Sequence, residues 1–402
     1  MSSKKWIQEM VKYKDSLIKF QIFSIFLIPL VPHFKITDNF QFDDIPVVLF
    51  LLFFFLNLYN KNFQIRNFKD SIPIILFIFY ITLQNLLINN ELIFSDNLRF
   101  TFYLILLFTV TNIKNLDFLK NYFFFLMYLL SIFSILFYFF ELNLGIDSYK
   151  YWKIGFNENE WVFTSGRMNG FQAGGPNAFG ALLACLTIYC VSSSENIKKY
   201  SFIFLGILGC FFTYSRASIF LLIFLLIFFL AVKKDITGIF IVIFTLLVTV
   251  NFGLVERFTS EAETQGIEDR IQMQEATISD ISNKSFNDNL IGYGFNNFGI
   301  VRDELKSIDD FSKELRPTGP HNSFLFILLN YGLIGLCLFL YLFLNPLKIF
   351  FQNFKTNILK PNFLFLGCFT VLSFTGDLIQ NHSISVLFFL LLFESLENEY
   401  YE

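Results

Sequence analysis

Polar residues at the ends of apolar segments include types that can do acid–base and phosphate chemistry. His321 and Asn322 directly precede an apolar run, which contains Gly332 and Gly335. A neutral imidazole can take a proton from a hydroxyl group. The positive end of a helix that begins here favours the neutral form, whereas a nearby phosphate would raise the pKa of the histidine, so the sign of the net shift stays open. We interpret His321 as a candidate general base, and we expect Asn322 or Ser323 to cap that helix. The alternative is an interfacial histidine without a chemical role.

Three arginines are candidate contacts for an anion. Arg216 lies beside Tyr214 in the short turn TYSRAS, Arg270 lies in DRIQMQEATI, and Arg167 precedes the glycine-rich MNGFQAGGPNAFG. Guanidinium groups match phosphate oxygens in bidentate geometry, so three of them on one side fit a ligand such as a diphosphate. Each has an alternative interpretation. Arg216 can extend to lipid headgroups, Arg270 can pair with Glu275 on a helix surface, and Arg167 can belong to a flexible entry to a helix.

The segment around Arg270 predicts an amphipathic helix with Ile271, Ala276 and Ile278 on its apolar side. The sequence GYGFNNFG at 292–299 follows this segment. No strand precedes it and no Lys-Ser/Thr pair follows it, as a phosphate-binding loop would require. We therefore expect a set of turns there.

Asp377 is a carboxylate within the predicted span 362–380. An ionisable residue inside a membrane is costly and is a functional candidate for that reason. It can orient His321 or bind a sugar hydroxyl, and capping or pairing with a buried polar group is an equal alternative. Gly332 and Gly335 are three residues apart and are expected to share one helix face that permits close helix contact.

The composition places these residues in a membrane protein. Of 402 residues, 54% are hydrophobic, 20% are aromatic and only 16% are charged, which is far from the usage of soluble domains. The net charge is −3 and no basic stripe or nucleic-acid motif is present, so nucleic acid is not an expected partner. The five cysteines lie in apolar segments and read as small buried hydrophobes. No His, Cys and carboxylate cluster has metal-ligand spacing, and we predict neither a metal nor a cofactor.

The apolar runs predict an all-α integral membrane protein that forms one domain over 1–402, with about twelve transmembrane helices. The predicted spans are 17–34, 45–59, 71–88, 98–112, 118–141, 177–193, 200–213, 217–232, 236–253, 322–345, 362–380 and 383–396.

Lysine and arginine are distributed asymmetrically between the connections. The N-terminus and connections such as 60–70 and 345–361 are rich in these residues, whereas 89–97 contains none. Cytoplasmic loops attract positive charge, so both termini are predicted to be cytoplasmic. The two long connections, 142–176 and 254–321, then lie on the outer face. A connection as long as the second is usually functional.

Four motifs in this order resemble the O-antigen ligase and O-antigen polymerase superfamily. The first motif consists of His321-Asn322, nine further residues, Gly332, two more residues and Gly335. It resembles the signature at the end of the family's large periplasmic loop. GGPNAFG at 174–180, TYSRAS at 213–218, and Arg270 followed by a helix and GYGFNNFG resemble further pieces. The resemblance implies a GT-C-like, metal-independent and inverting membrane glycosyltransferase with a lipid-diphosphate-linked glycan as donor.

The resemblance also implies roles for individual residues. Arg216 and Arg270 match the arginines assigned to the donor diphosphate, and His321 matches the histidine assigned to activating the acceptor hydroxyl. Supporting roles fall to Arg167, Asn322, Asp377 and Tyr214.

The resemblance leaves the acceptor open. We favour a repeat-unit polymerase, because polymerases are the more numerous members, with undecaprenyl-diphosphate-linked oligosaccharides as donor and acceptor. It would act at the periplasmic side of a bacterial inner membrane, in contact with membrane lipid and with a possible chain-length regulator protein. A ligase that transfers the glycan to lipid A-core or to protein is the alternative. A polysaccharide transporter or flippase is more remote, since it would place charges near the midplane and show internal repeats.

Overall fold

A computed structural model describes most of the chain. The described residues are 16–31, 35–37, 40–41, 44–60, 68–89, 94–113, 116–140, 151–157, 160–163, 165–168, 175–250, 261–294 and 320–397.

Helices account for most of these residues. In chain order they are α1 (Ser16–Leu30), α2 (Asp44–Tyr59), α3 (Phe68–Asn89), α4 (Phe94–Val110), α5 (Asp117–Phe140), α6 (Gly175–Ser193), α7 (Asn196–Phe212), α8 (Arg216–Val232), α9 (Ile236–Val250), α10 (Glu261–Asn283), α11 (Phe286–Ile291), α12 (Ser323–Tyr341), α13 (Leu344–Gln352), α14 (Phe354–Asn357), α15 (Pro361–Leu372) and α16 (His382–Glu397).

Five short strands form two small antiparallel sheets, which the all-α prediction did not include. Strand β1 (Lys35–Thr37) pairs with β2 (Phe40–Gln41). Strand β3 (Tyr151–Asn157) pairs with both β4 (Glu160–Phe163) and β5 (Ser165–Met168). Both sheets lie in connections between apolar helices, where the search for apolar runs carries no information on strands.

The helical membrane class is confirmed, and each predicted span falls on a helix. Among the described residues, four segments are long and apolar enough to cross a membrane: Ser71–Ile88, Asp117–Phe140, Gly175–Ser193 and Ser323–Gln352. Seven further apolar helices in the described part are shorter. The number of spans and the side on which each connection lies therefore stay predictions.

Helix α6 lies at the centre of the bundle and packs against α5, α7, α8 and α15. Small residues allow this close approach. A Cβ at Gly206 of α7 would lie 2.3 Å from Oγ1 of Thr187 on α6, and Gly209 of α7 lies directly against Ser131 of α5. Close backbone contact of this kind is a main source of helix association in membranes. Helices α5, α6 and α7 thus pack closely together, which fixes the positions of the ends of α6 and α7.

The two ends of α7 differ in chemistry. At its first end, Lys199 is paired with Asp235, which also accepts a hydrogen bond of 2.9 Å from the backbone N–H of Gly238. The turn 213–215 lies at the other end. Because α7 has 17 residues, the two ends are about 25 Å apart.

The connection after α9 is partly helical, as predicted, and α10 and α11 pack against α12. The predicted apolar side of α10 was wrong for two of its three residues, whereas Ala276 is partly buried against Leu329 of α12. Ile271 and Ile278 are exposed, whereas Met273 and Thr277 are buried. Met273 and Thr277 share a face with Arg270, because positions i, i+3 and i+7 lie on one side of a helix. Contact with α12 thus turns the Arg270 face towards the bundle.

Candidate active site

The turn between α7 and α8 rests on the first part of α6. A Cβ at Gly180 would lie 2.6 Å from Oγ1 of Thr213 and 2.7 Å from Cβ of Ser215, so the turn touches the α6 backbone with no side chain between them. Two of the motifs, GGPNAFG and TYSRAS, therefore meet in the fold. Arg216 is the first residue of α8, and backbone packing at Gly180 fixes where it emerges.

Tyr214 builds this turn from the inside. Its backbone has a positive φ of 50°, which is uncommon for a residue with a side chain. Its side chain is buried, and its hydroxyl lies 3.1 Å from the hydroxyl of Tyr138. The residue predicted as a supporting member of the polar turn thus contacts the interior of the bundle.

The start of α12 is tightly capped. Oδ1 of Asn322 accepts hydrogen bonds from the backbone N–H groups of Phe324 at 3.0 Å and Leu325 at 3.2 Å, which confirms the predicted cap. The backbone N–H of Ser323 donates to the carbonyl of Ser373 at 2.8 Å. The first three amide groups of the helix are thus engaged, so an anion at this site has to find its donors among side chains.

Asp377 lies in the turn after α15 and not inside a helix, which corrects the expectation that a helix continues to residue 380. Helix α15 ends at Leu372. The following turn is tied to the start of α12, where the hydroxyl of Ser323 donates to the carbonyl of Gly376 at 2.9 Å. This long-range contact ties the turn to α12, and the polar and glycine residues at 373–377 agree with a helix that ends before them.

The Asp377 carboxylate lies next to the histidine. Nδ1 of His321 is 3.8 Å from Oδ2 of Asp377, which is within ion-pair range and longer than a hydrogen bond. The backbone N–H groups of His321 and Asn322 stabilise the same carboxylate. His321 has a positive φ of 51°, so Asp377 helps to hold a backbone conformation that a non-glycine residue rarely adopts.

Arg270 shares one electrostatic environment with the other candidates. Burial lowers the pKa of Arg270, the charge of Arg216 lowers it further, and the charge of Asp377 raises it. The charge of Arg270 in turn lowers the pKa of His321. The structure therefore brings together Arg216, Arg270, His321 and Asp377, which are far apart in the chain. Glu275, the alternative partner of Arg270, is exposed, and its charge is not among the causes of the shift in the pKa of Arg270.

The protonation states follow from burial and from these charges. Burial and the charge of Arg270 lower the pKa of His321 to about 4. Burial raises the pKa of Asp377 to about 6, although the two backbone N–H groups and Arg270 oppose the rise. Near pH 7, His321 is thus neutral and Asp377 is mostly ionised. The sequence left the sign of the shift in the pKa of His321 open; burial and the charge of Arg270 lower it.

Arg167 lies on β5, where its backbone pairs with Trp152 of β3. Strand β5 contacts α5, α6 and α7. The side chain of Arg167 lies outside the described residues, and so does the part of the large connection at 295–319. Within the described ranges, no group of three or more His, Cys, Asp and Glu side chains could hold a metal ion.

Gly332 breaks α12, which the sequence did not predict. Its backbone angles are φ 66° and ψ −172°, in a region that is essentially restricted to glycine. A Cβ at this position would lie 2.3 Å from the carbonyl oxygen of Leu290. The expectation that Gly332 and Gly335 share a face for helix packing was therefore wrong. The end of α11 approaches Gly332, whereas Gly335 lies against Tyr331 and the ring of Tyr80.

The segment 292–294 docks into this break. The backbone N–H of Tyr293 donates to the carbonyl of Leu329 at 2.9 Å, and that of Gly294 donates to the carbonyl of Asn330 at 2.9 Å. Gly292 and Gly294 both have positive φ, which confirms the predicted turns for this part of GYGFNNFG. The docking joins the element that carries Arg270 to the helix that follows His321. The spacing of the glycines was visible in the sequence, but their partner was not.

These features define a helical membrane protein with four ionisable residues gathered at one end of its bundle. Residues 201–340 match the family model described as O-antigen ligase. The match supports the O-antigen ligase and polymerase superfamily, which the motifs resembled. It includes Arg216, Arg270 and His321, whereas Asp377 lies outside it. No curated protein matches the chain.

Proposed function

We propose that this protein is a glycosyltransferase that extends a surface polysaccharide. It would move a glycan from a polyprenyl-diphosphate carrier to a sugar hydroxyl of a second lipid-linked oligosaccharide. The observation that carries the proposal is the shared environment of Arg270, Arg216 and the His321–Asp377 pair. The match to the O-antigen ligase family supports an activity of this general type.

The two arginines suit the diphosphate of the donor. Arg216 and Arg270 lie close enough for their charges to repel. Burial lowers the pKa of Arg270, and the charge of Arg216 lowers it further. A bound diphosphate removes this repulsion and offers oxygens for two guanidinium forks. Negative charge grows on the diphosphate as it leaves, so the same contacts strengthen in the transition state. In this proposal the arginines supply the positive charge, and no metal is required.

His321 suits the acceptor hydroxyl. The hydroxyl oxygen attacks the anomeric carbon of the donor, the bond from that carbon to the diphosphate oxygen breaks, and the configuration inverts. Because Nδ1 faces Asp377, a proton on Nδ1 is favoured, and Nε2 remains to accept the hydroxyl proton. The charge of the bound diphosphate raises the pKa of His321 from about 4 towards working pH, which makes the histidine a better base when the donor is present.

Asp377 has a second oxygen that can accept a hydrogen bond from the glycan. Its Oδ1 is buried and has no hydrogen-bond partner among the described residues. Unpartnered buried oxygens are unfavourable, so a hydroxyl of the bound sugar is a suitable donor to it. Asp377 would then both orient His321 and contact the glycan.

The carrier and the location complete the proposal. We expect undecaprenyl diphosphate as the carrier lipid, the outer face of a bacterial inner membrane as the location, and cytoplasmic termini. The side of the membrane follows from the charge asymmetry of the connections, whereas the carrier and the bacterial inner membrane are what the family resemblance implies. A chain-length regulator protein is the proposed partner.

Deletion of the gene in its host tests the proposal and separates it from the ligase alternative. Single repeat units on lipid A-core are expected for a polymerase, whereas lipid-linked polymer with bare core indicates a ligase. Reconstitution of the purified protein in vesicles with a lipid-linked repeat unit is the second test. Growth of polymer in the presence of a metal chelator is expected, and unchanged substrate would contradict a polymerase.

A further inference from the structure

Two polar residues of α3 face the break in α12. Gln84 is fully buried and Tyr80 is partly buried, and their spacing of four residues puts them on one face of α3. Nε2 of Gln84 donates to the carbonyls of Asn330, at 2.7 Å, and Ile291. The hydroxyl of Tyr80 lies 2.8 Å from the carbonyl of Tyr331 and 3.1 Å from that of Ile291.

The break explains why these donors are needed. Where Gly332 leaves the helical conformation, the preceding carbonyls lose their partners in the next turn. Segment 292–294 supplies two backbone N–H groups to Leu329 and Asn330. Asn330 and Tyr331 also accept from the α3 side chains. The carbonyl of Ile291, the last residue of α11, binds the same two side chains.

We call the contacts of Tyr80 and Gln84 with the carbonyls of Ile291, Asn330 and Tyr331 the joint. One Gln84 amide group and one Tyr80 hydroxyl connect the end of α11, the middle of α12 and the scaffold helix α3. Arg270 is on α10, which leads into α11, and His321 precedes α12. The joint therefore lies on the covalent and packing path between the two residues that the transfer reaction needs together.

We propose that Tyr80 and Gln84 are positioning residues for the transfer reaction, which hold Arg270 at a fixed place relative to His321. They do this by binding the carbonyl of Ile291 and the carbonyls released at Gly332 to one side of α3. Neither residue touches the substrates. This inference rests on the proposed glycosyl transfer, and its test has a readout that does not depend on activity.

The test combines Tyr80→Phe with Gln84→Leu, which removes the donors and keeps the size of both side chains. Nitroxide labels are placed at Ser279→Cys on α10 and Leu340→Cys on α12, both exposed positions. Cys337 is replaced by serine, since the other native cysteines are buried. The distance distribution is measured by pulsed electron paramagnetic resonance, and polymer formation is measured on the unlabelled proteins.

We expect the double variant to broaden the α10–α12 distance distribution and to lower the transfer rate at least tenfold. Tyr128→Phe and Gln21→Leu are matched controls, because they remove hydrogen bonds elsewhere in the bundle. Tyr128 binds Ser201, and Gln21 donates to Thr109 and accepts from Asn57. The control variants should keep the wild-type distribution and rate. If the double variant is not recovered, Tyr80→Phe alone is tested in the same way.

A reference pair of labels on α7 and α8, at exposed Ile197 and Phe224, separates the joint from general loosening, because it should stay unchanged. An unchanged α10–α12 distribution in the double variant would overturn the proposal, as would a broadened distribution with a wild-type transfer rate. Equal broadening of the reference pair would also overturn it. Absence of transfer by the wild type contradicts the proposed function, while the distances still decide whether the joint exists.

Discussion

Asp377 acts on His321 twice, through the ring and through the backbone. Oδ2 of Asp377 lies 3.8 Å from Nδ1 of His321, and the same carboxylate is stabilised by the backbone N–H groups of His321 and Asn322. The ring contact favours one tautomer, and the backbone contacts support the positive φ of the histidine. A change at Asp377 therefore alters both the chemistry and the direction of the imidazole.

Replacement of His321 tests the general base. His321→Ala should lower the transfer rate by about 10²- to 10⁴-fold, the usual contribution of acid–base catalysis, while protein level and membrane insertion stay normal. His382→Gln is a matched control, because His382 is the first residue of α16 and packs against Phe102. Transfer by His321→Ala at the wild-type rate would remove the base from the mechanism.

Exchange of arginine for lysine tests bidentate phosphate contact. Arg216→Lys and Arg270→Lys keep the charge but lose the planar fork, so kcat/KM for the donor should fall at least about tenfold. Arg99→Lys on α4 provides the control. If Arg216→Lys matches the wild type, contact with lipid headgroups becomes the better explanation for Arg216.

The pH dependence of transfer should report Asp377. Because its pKa is raised to about 6, the carboxylate is protonated below this value and no longer stabilises the Nδ1 tautomer. His321 stays neutral over the same range, because its pKa is about 4. We expect kcat/KM to rise with pH through about 6 and then to level off. Asp377→Asn should abolish this step; the same step in the variant would assign it to another group.

The cap of α12 should be replaceable. Asn322→Ala removes the acceptor for two backbone N–H groups and should destabilise the start of the helix by about 1 kcal/mol. His321 is the neighbouring residue, so we expect a several-fold loss of transfer rate. Asn322→Ser keeps a capping oxygen and should restore most of the rate. A rate equally low in both variants would instead indicate a direct role for the carboxamide.

The two closely packed glycines should not tolerate a side chain. A Cβ at Gly332 would meet the carbonyl oxygen of Leu290 at 2.3 Å, and one at Gly292 would meet the backbone nitrogen of Gly332 at 2.4 Å. Gly332→Ala and Gly292→Ala should therefore lose most transfer activity and lower the melting temperature in detergent. Gly367→Ala is the control, because its Cβ meets nothing within 4 Å. Normal activity of Gly332→Ala would contradict the docking.

The sequence predicted the helices well, because long apolar runs carry a strong local signal. It also placed His321 beside a helix start and identified Asn322 as a possible cap. It placed Asp377 inside the span 362–380, although Ser373, Thr375 and Gly376 interrupt the apolar run. The contact between Ser323 and Gly376 holds the turn that follows α15, and a search for apolar runs does not contain such a contact.

The buried face of α10 also could not be predicted from the sequence. Of the three residues that predicted the buried side, Ile271 and Ile278 are exposed and Ala276 is partly buried against Leu329. Single exposed apolar side chains are common on protein surfaces, so hydrophobicity alone does not identify the packed face. Met273 and Thr277 are buried because α10 packs on α12, and this contact could not be read from α10 alone.

The contact between Gly292 and Gly332 has a consequence for how the sequence can vary. Each glycine leaves free the space that the backbone of the other element occupies, so the close contact requires both. In related sequences the two positions should be kept or lost as a pair. Such paired retention would identify relatives that share this docked arrangement even where their sugars and acceptors differ.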